Sequence, residues 1–285
     1  MYGALLMGRI LLGIGESLLL TGNLTWAMGV TGREWAGRVI SWNGMATYGA
    51  LAVGAPLGMM IYNNYGIVIA GLIMLLLPGC AKLFVLRIPE SNIVAGQSVS
   101  LKQLIPLIWQ LGVGLLLQGI GFAVLSTFTV LLFKEQQWQL SGFALTAFGF
   151  SFIAARLFCG HLPDKGDCIR VARISLLVEF SGLLLIAVAW HPSVALLGAA
   201  LTGLGCSLIF PSLGVYLVHQ VDTSSRGTAL GGFSAFQDVA YGAAGPILGL
   251  MAPHAGYRAV FLVAACCALS GVIILRLLLQ MKKNH

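Results

Sequence analysis

The stretch GRILLGIGESLL (residues 8–19) carries one arginine and one glutamate in a run that otherwise consists of apolar residues, glycine and a single serine. Arg9 and Glu16 are seven positions apart, so on an α-helix they share one face and lie about 10 Å apart along the axis. The role of two charges on such an apolar helix depends on the environment of that helix. The composition and the pattern of the rest of the chain indicate this environment.

The composition of the chain is that of a membrane protein. Of the 285 residues, 58% are hydrophobic and only 9% are charged, whereas a soluble domain has about 25% charged residues. Hydrophobic stretches of about 20 residues or more recur along the sequence, which predicts an all-α, multi-pass membrane protein. The net charge of +7 is spread over short loops between apolar runs, so it indicates membrane topology rather than nucleic-acid binding.

Polar or Gly/Pro-rich breaks divide the sequence into nine predicted transmembrane helices. Their approximate bounds are 2–29, 37–62, 66–87, 104–133, 140–160, 169–190, 193–219, 227–252 and 257–280. The longest linker, RIPESNIVAGQSVSLKQ (residues 87–103), is polar and carries helix breakers. We therefore expect three helices of an N-terminal bundle in residues 1–86, a cytoplasmic linker in residues 87–103, and a six-helix bundle in residues 104–285.

The distribution of basic residues predicts the orientation in the membrane. Lys134 and Arg258 fall on one side of the predicted helices, and Arg9 lies inside a span. The other side carries Arg33, Arg38, Lys82, Arg87, Lys102, Arg156, Lys165, Arg170, Arg173, Arg226, Arg276, Lys282 and Lys283. Because cytoplasmic loops carry the excess of Lys and Arg, this second side, with the C-terminus, is expected to be cytoplasmic.

An internal repeat is present at a constant offset of 190 residues. Residues 13–58 align without a gap on residues 203–248, with identities at Gly13/Gly203, Gly15/Gly205, Ser17/Ser207, Leu18/Leu208, Gly37/Gly227 and Pro56/Pro246. The register holds across two predicted spans and a loop, so the first and second spans correspond to the seventh and eighth. If the repeat is a six-helix unit, three further helices are expected before residue 1.

Three glycine-containing motifs point to a known family. Arg9 is followed by Gly13 and Gly15, GALAVGAPLG (residues 49–58) has a proline two positions from a glycine on either side, and GHLPDKGDCIR (residues 160–170) combines glycine with acidic and basic residues. With these motifs the chain resembles the efflux branch of the major facilitator superfamily, the twelve-helix secondary transporters made of two six-helix bundles. The resemblance covers the whole chain as helices four to twelve.

The resemblance implies a secondary transporter that exports a small organic solute, drug-like or sugar-like, by alternating access with coupled proton entry. Its partners would be the solute, protons and the lipid bilayer, without cofactor or metal ion, and the chain would be monomeric. The stretch GRVISWNGMATYGALAVGAPLG (residues 37–58) is also similar to uncharacterised bacterial inner-membrane members related to sugar and drug efflux carriers. Gating and helix packing would fall to Gly49, Gly54, Pro56, Gly58, Gly160, Asp164, Lys165 and Arg170, although the glycine after Asp164 comes one position earlier here than in the family.

Four polar or ionisable side chains fall near the middle of predicted spans: Glu16, Gln118, Glu179 and Asp238. A charge at that depth costs about 2.5–3.5 kcal/mol on insertion scales, so such side chains usually face a bundle interior or water. By the resemblance, Glu16 and Gln118 lie on cavity-lining helices and Asp238 on a flanking one. Glu179 lies on an outer helix and is expected to be structural.

Two polar seams run down otherwise apolar helices: Arg9, Glu16 and Asn23 on the first, and Ser234, Asp238 and Tyr241 on the eighth. We interpret Glu16 as the carboxyl that takes a proton from outside and releases it inside, with Arg9 as its electrostatic partner and Asp238 as a second candidate. A static pair of Arg9 with Glu16, and a hydrogen-bonded structural role for Asp238, are the alternatives. The substrate cavity is expected to be lined by Asn23, Trp42, Asn43, Gln118, Gln237 and Tyr241.

Two other functions are compatible with parts of the sequence. GESL (residues 15–18) superficially matches a serine-protease motif, but the five histidines fall at span ends, in loops or at the terminus, away from Ser17. The six cysteines form no CxxC pair and are expected to be small packing residues, not metal ligands or disulfides. An intramembrane enzyme is therefore a remote alternative, and a truncated, non-transporting product that needs its missing helices is the closer one.

Overall fold

The computed structural model describes residues 2–31, 36–86, 101–165, 167–221 and 226–283. Within these ranges the backbone is helical apart from short turns and caps, which confirms the expected all-α fold. The helices are α1 (Tyr2–Thr31), α2 (Ala36–Val85), α3 (Leu101–Glu135), α4 (Gly142–Cys159), α5 (Leu162–Lys165), α6 (Cys168–Ala187), α7 (Pro192–Val218) and α8 (Arg226–Lys283).

The two longest helices, α2 and α8, are each interrupted at a glycine. α2 has 50 residues and contains the non-helical Gly66 (φ 78°, ψ 178°), and α8 has 58 residues and contains Gly256 (φ 78°, ψ 163°). Glycine adopts this region readily because it has no Cβ, whereas other residues are strained there. The two glycines are 190 residues apart, the offset of the sequence repeat, so the repeat extends to the backbone conformation.

Five stretches of the described helices are long and apolar enough to cross a membrane: Ser41–Val85, Leu104–Glu135, Gly142–Cys159, Pro192–Val218 and Gly227–Leu277. A span needs about 20 residues, so the first and last of these, with 45 and 51 residues, each have room for two crossings separated by the glycine break. Neither α1 nor α6 is among the five. α6 has 20 residues but carries three charged ones, Arg170, Arg173 and Glu179.

Contacts divide the chain into two compact units. The first comprises Met1–Ala46 and Tyr65–Ala95, and the second comprises Thr47–Asn64 and Gly96–His285. In the second unit, α3, α4, α6, α7 and α8 pack against one another around buried apolar side chains. Residues 47–64 of α2 join this unit, where the Thr146 hydroxyl donates a hydrogen bond to the carbonyl of Ala52 (2.8 Å).

Helices α6 and α7 pack with their backbones in direct contact. A Cβ on Gly182 would lie 2.5 Å from the Thr202 nitrogen and 2.6 Å from the Gly198 oxygen, and a Cβ on Gly205 would lie 2.5 Å from the Glu179 nitrogen. Such distances exclude a side chain, so the helices approach through small residues as in other membrane bundles. This contact fixes where Glu179 sits.

The glycines predicted to pack α2 against a neighbour differ from one another. A Cβ on Gly49 would lie 3.3 Å from Cδ1 of Ile153, whereas a Cβ on Gly54 or Gly58 would meet no atom of the described residues within 4 Å. The expected close approach is therefore found at Gly49. It is not found at the other two glycines, because they face open space in this arrangement.

Candidate functional site

An open cavity of about 820 Å³ lies between the end of α1 and the beginning of α2. We call it the α1–α2 cavity. Its lining consists of Asn23, Trp26, Ala27, Thr31, Val39, Trp42, Asn43 and Ala46. Three of the side chains predicted to line a substrate cavity, Asn23, Trp42 and Asn43, thus come together in one place.

The chemistry of the α1–α2 cavity is that of two indole rings and two amides. Trp26 and Trp42 offer flat apolar surfaces, and Asn23 and Asn43 offer hydrogen-bond donors and acceptors. None of the eight described lining residues carries a charge. The described part of the wall suits an organic solute with a ring and a few polar groups. Trp26, which the prediction left out, follows Asn23 at a spacing of three residues and so shares its helix face.

Glu16 lies on the same helix as the cavity, seven residues before Asn23, and its side chain is exposed. The side chain of Arg9 is outside the part of the chain that the structure describes. The pairing of Arg9 with Glu16 therefore stays a prediction.

A second group of predicted cavity residues meets in the other unit. Gln118 of α3 is only 2% exposed, and its Oε1 accepts a hydrogen bond from Nε2 of Gln237 on α8 (3.3 Å). The hydroxyls of Tyr241 and Tyr48 lie 3.4 Å apart, and either can donate. The structure thus brings Gln118, Gln237 and Tyr241 together, with Tyr48 of α2 as a partner that the sequence analysis missed.

Aromatic rings from four helices surround this polar group. The ring of Tyr48 lies 5.4 Å from that of Phe122, 5.7 Å from that of Phe148 and 3.9 Å from that of Phe152. Phe122 also lies 5.3 Å from Tyr241. The only sequence signal for this cluster is the spacing of Phe148 and Phe152, one helical turn apart, because the other rings come from separate helices.

Arg156 is a buried cation in the last turn of α4, where the sequence analysis counted it as a topological charge. It is 8% exposed, and its Nε donates a hydrogen bond to the carbonyl of Ser207 on α7 (2.8 Å). Its guanidinium lies 5.1 Å from the centre of the Phe152 ring, a cation–π distance. The hydroxyl of Ser207 in turn donates to the carbonyl of Phe152 (2.8 Å), so this arginine joins α4 to α7.

The three residues of the predicted seam on α8 differ in exposure. Asp238 is exposed, whereas Gln237 and Tyr241 are half-buried, and Ser234 donates to the carbonyl of Gly231 on its own helix (3.0 Å). Successive residues of a helix point about 100° apart, so Gln237 reaches Gln118 while Asp238 turns outward. The proton-coupling role of Asp238 stays a prediction.

The motif between α4 and α6 contains a helix cap that the sequence analysis did not identify. Asp167 is the N-cap of α6, and its Oδ1 accepts hydrogen bonds from the backbone nitrogens of Ile169 (3.0 Å) and Arg170 (3.2 Å). Gly160 closes α4 through a hydrogen bond from its N–H to the Arg156 carbonyl (3.0 Å). The side chains predicted to gate, those of Asp164 and Lys165, are outside the described residues.

Glu179 of α6 does not lie at the outer surface. It is 0% exposed, because the α6–α7 contact turns its carboxyl into the unit. An outer helix still has one inward face, and the structural role expected for Glu179 stays a prediction.

Sequence comparison identifies relatives over nearly the whole chain. The family model described as Major Facilitator Superfamily matches residues 1–166 and 111–285. An uncharacterised MFS-type transporter of Salmonella typhimurium strain LT2 is 53% identical over 279 residues, which are 98% of this chain and 72% of that protein. An uncharacterised MFS-type transporter of Burkholderia mallei strain SAVP1 is 41% identical over 278 residues, 98% of this chain and 68% of that protein.

Two solved structures share the fold at low sequence identity. The human organic anion transporter MFSD10 (TETRAN) has a TM-score of 0.72 at 17% identity, covering 96% of this chain and 71% of that one. The E. coli fucose:proton symporter FucP has a TM-score of 0.62 at 15% identity, covering 91% of this chain and 73% of that one. The family match and the two bacterial relatives show that this chain belongs to the Major Facilitator Superfamily.

Proposed function

We propose that this chain is a proton-coupled secondary transporter that exports a small neutral organic solute by alternating access. The family is one of transporters and not of enzymes. The observation that carries the proposal is the α1–α2 cavity. Its volume of about 820 Å³ is within the range of about 300–1,000 Å³ typical of small-molecule sites, and its paired indole and amide groups suit a drug-like or sugar-like ring.

Proton coupling is proposed for Glu16, with Arg9 as its electrostatic partner and Asp238 as the second candidate. Glu16 is on the helix that supplies Asn23 and Trp26 to the cavity, so a change of its charge can act on the cavity through one rigid element. The name of the E. coli symporter, which shares the fold, includes proton coupling. Whether protons and solute move in opposite directions here is the point that the assay must decide.

The proposed topology has nine crossings in an inner membrane, with residues 87–103 and the C-terminus in the cytoplasm. It is supported by the excess of basic residues on that side. The glycine breaks at Gly66 and Gly256 divide two long apolar stretches where the proposal requires a turn.

Inverted inner-membrane vesicles containing the chain provide the test. Respiration acidifies the lumen, and a fluorescent amine reports its pH. Adding a substrate should raise the lumenal pH if solute entry is exchanged for protons, and we would begin a panel of neutral solutes with chloramphenicol and lactose. Trp42→Ala should reduce the response several-fold, because it removes one wall of the cavity.

Glu135→Gln is the matched control, since Glu135 is exposed at the end of α3 and outside the cavity. It should leave the response unchanged. A panel without any response, or a response that Trp42→Ala leaves intact, would contradict the proposed function.

A further inference from the structure

Glu179 is the one carboxyl that is buried among the Asp and Glu side chains that the structure describes. Within the described helices, neither of its oxygens accepts or donates a hydrogen bond by distance and angle. Oε1 lies against Gly121 of α3, where a Cβ would overlap it, and the Glu179 backbone lies against Gly205 of α7. The carboxyl is therefore enclosed by three helices, in a space that exists because α3 and α7 have glycine at these positions.

An ionised carboxylate does not fit this environment. Burial of a charge without a partner costs several kcal/mol even after relaxation, whereas a protonated carboxyl is neutral and costs far less. The thiol of Cys206 on α7 is a polar neighbour of the carboxyl, and a thiol is a weak donor. The packing of the three helices is thus compatible with the protonated form of Glu179.

A line of polar side chains leads from Glu179 across the unit. The Cys206 thiol lies beside both the Glu179 carboxyl and the Gln118 amide. Gln118 accepts a hydrogen bond from Gln237 (3.3 Å), and the next residue on α8 is the exposed Asp238. Polar groups of four helices therefore lie in sequence from the buried carboxyl to Gln237, and Asp238 follows Gln237 in the chain but turns outward.

We propose that Glu179 is a proton-binding site, which carries its proton in this packed arrangement and gives it to water when α3 separates from α6 and α7 at Gly121. On release the O–H bond breaks, the proton goes to a water molecule, and the carboxylate stays on Glu179; binding reverses the step. Among the described residues, the titratable groups that face the carboxyl are Cys206 from α7, Tyr241 from α8 and Tyr48 from α2, and none of these three supplies a positive charge.

This proposed site is additional to Glu16 and Asp238. Its role in transport rests on the proposed proton coupling, whereas its protonation does not. The nearby cation of α4, Arg156, contacts Ser207 and Phe152 and not the carboxyl. The protonation itself can therefore be tested without a transport substrate.

Infrared spectroscopy of the purified chain in detergent at neutral pH tests the protonation. The wild-type spectrum minus that of Glu179→Gln should contain the C=O stretching band of one protonated carboxylic acid, shifted in heavy water. The same difference for Glu135→Gln, at an exposed position, should contain carboxylate bands only. Carboxylate bands in the Glu179→Gln difference would overturn the proposal.

A chemical label on the wild-type chain covers the case in which Glu179→Gln does not fold. Dicyclohexylcarbodiimide is apolar and adds to protonated carboxyls in membranes, so the peptide with Glu179 should gain the mass of one reagent molecule. The peptides with Glu135 and Asp167 should not gain it. Labelling at either exposed position without labelling of Glu179 would overturn the proposal.

The role in transport is tested separately in the vesicle assay. Glu179→Gln cannot release a proton, so it should lose the solute-dependent pH change while retaining exchange of labelled for unlabelled solute. A normal pH change in Glu179→Gln would remove the site from coupling. If wild-type vesicles show no pH change at all, the proposed function fails while the infrared result still decides the protonation.

Discussion

Replacement of Gly182 by alanine should destabilise the α6–α7 contact, and the structure gives the size of the effect. The new Cβ would lie 2.5 Å from the Thr202 nitrogen and 2.6 Å from the Gly198 oxygen, both backbone atoms that cannot move alone. Overpacking of this kind costs about 1–3 kcal/mol, and two backbone contacts place the cost near the upper end. Alanine regains about 1 kcal/mol of helix propensity over glycine, which leaves a net loss of about 2 kcal/mol.

Gly54→Ala is the matched control, because a Cβ there would meet no described atom within 4 Å. It should gain the same helix propensity without the overpacking, so the two variants should differ by about 3 kcal/mol. Thermal unfolding in detergent, followed by tryptophan fluorescence, should separate their midpoints by about 6–12 °C at about 2–4 °C per kcal/mol. Equal midpoints would refute the close α6–α7 packing.

Three further predictions concern a buried cation, a glycine break and the topology. Arg156→Lys should lower the unfolding midpoint more than Arg156→Met, because lysine keeps the buried charge but loses the planar Nε donor to Ser207; the reverse order would contradict this role. Gly256→Ala should lose about 1–3 kcal/mol through backbone strain, since its φ is 78° and its Cβ would come no nearer than 3.9 Å to Glu135; an unchanged midpoint would argue against the break. Reporter fusions at Ser91 and Asn63 should report cytoplasm and exterior respectively, and opposite signals would reverse the orientation.

The helices themselves could be predicted because apolar length decides them in a membrane. The offset of the repeat also separates Gly66 from Gly256, whose shared backbone conformation was not predicted. Both features depend on the length of apolar stretches and on the spacing between residues, which can be counted in the sequence.

The direction in which each polar side chain points could be predicted less well than the helices. An apolar helix in a membrane has no polar outer face to mark its orientation, so periodicity alone does not predict that Gln237 points inward and the adjacent Asp238 outward. The inward orientation of Glu179 depends on where α6 meets Gly205 of α7, which is a property of the packed helices and not of the α6 sequence. The capping of α6 by Asp167 was not predicted, because the family motif assigns a role to Asp164 and none to Asp167.

The most direct test of the proposed coupling is proton-driven transport by the chain reconstituted in liposomes. With an imposed pH gradient, wild-type protein should accumulate the solute found in the vesicle assay against its concentration gradient. Glu16→Gln should abolish this accumulation while retaining solute exchange, because it keeps the shape of the side chain but cannot carry the proton. Accumulation by Glu16→Gln with the pH dependence of the wild type would contradict the account and leave Glu16 with a static role.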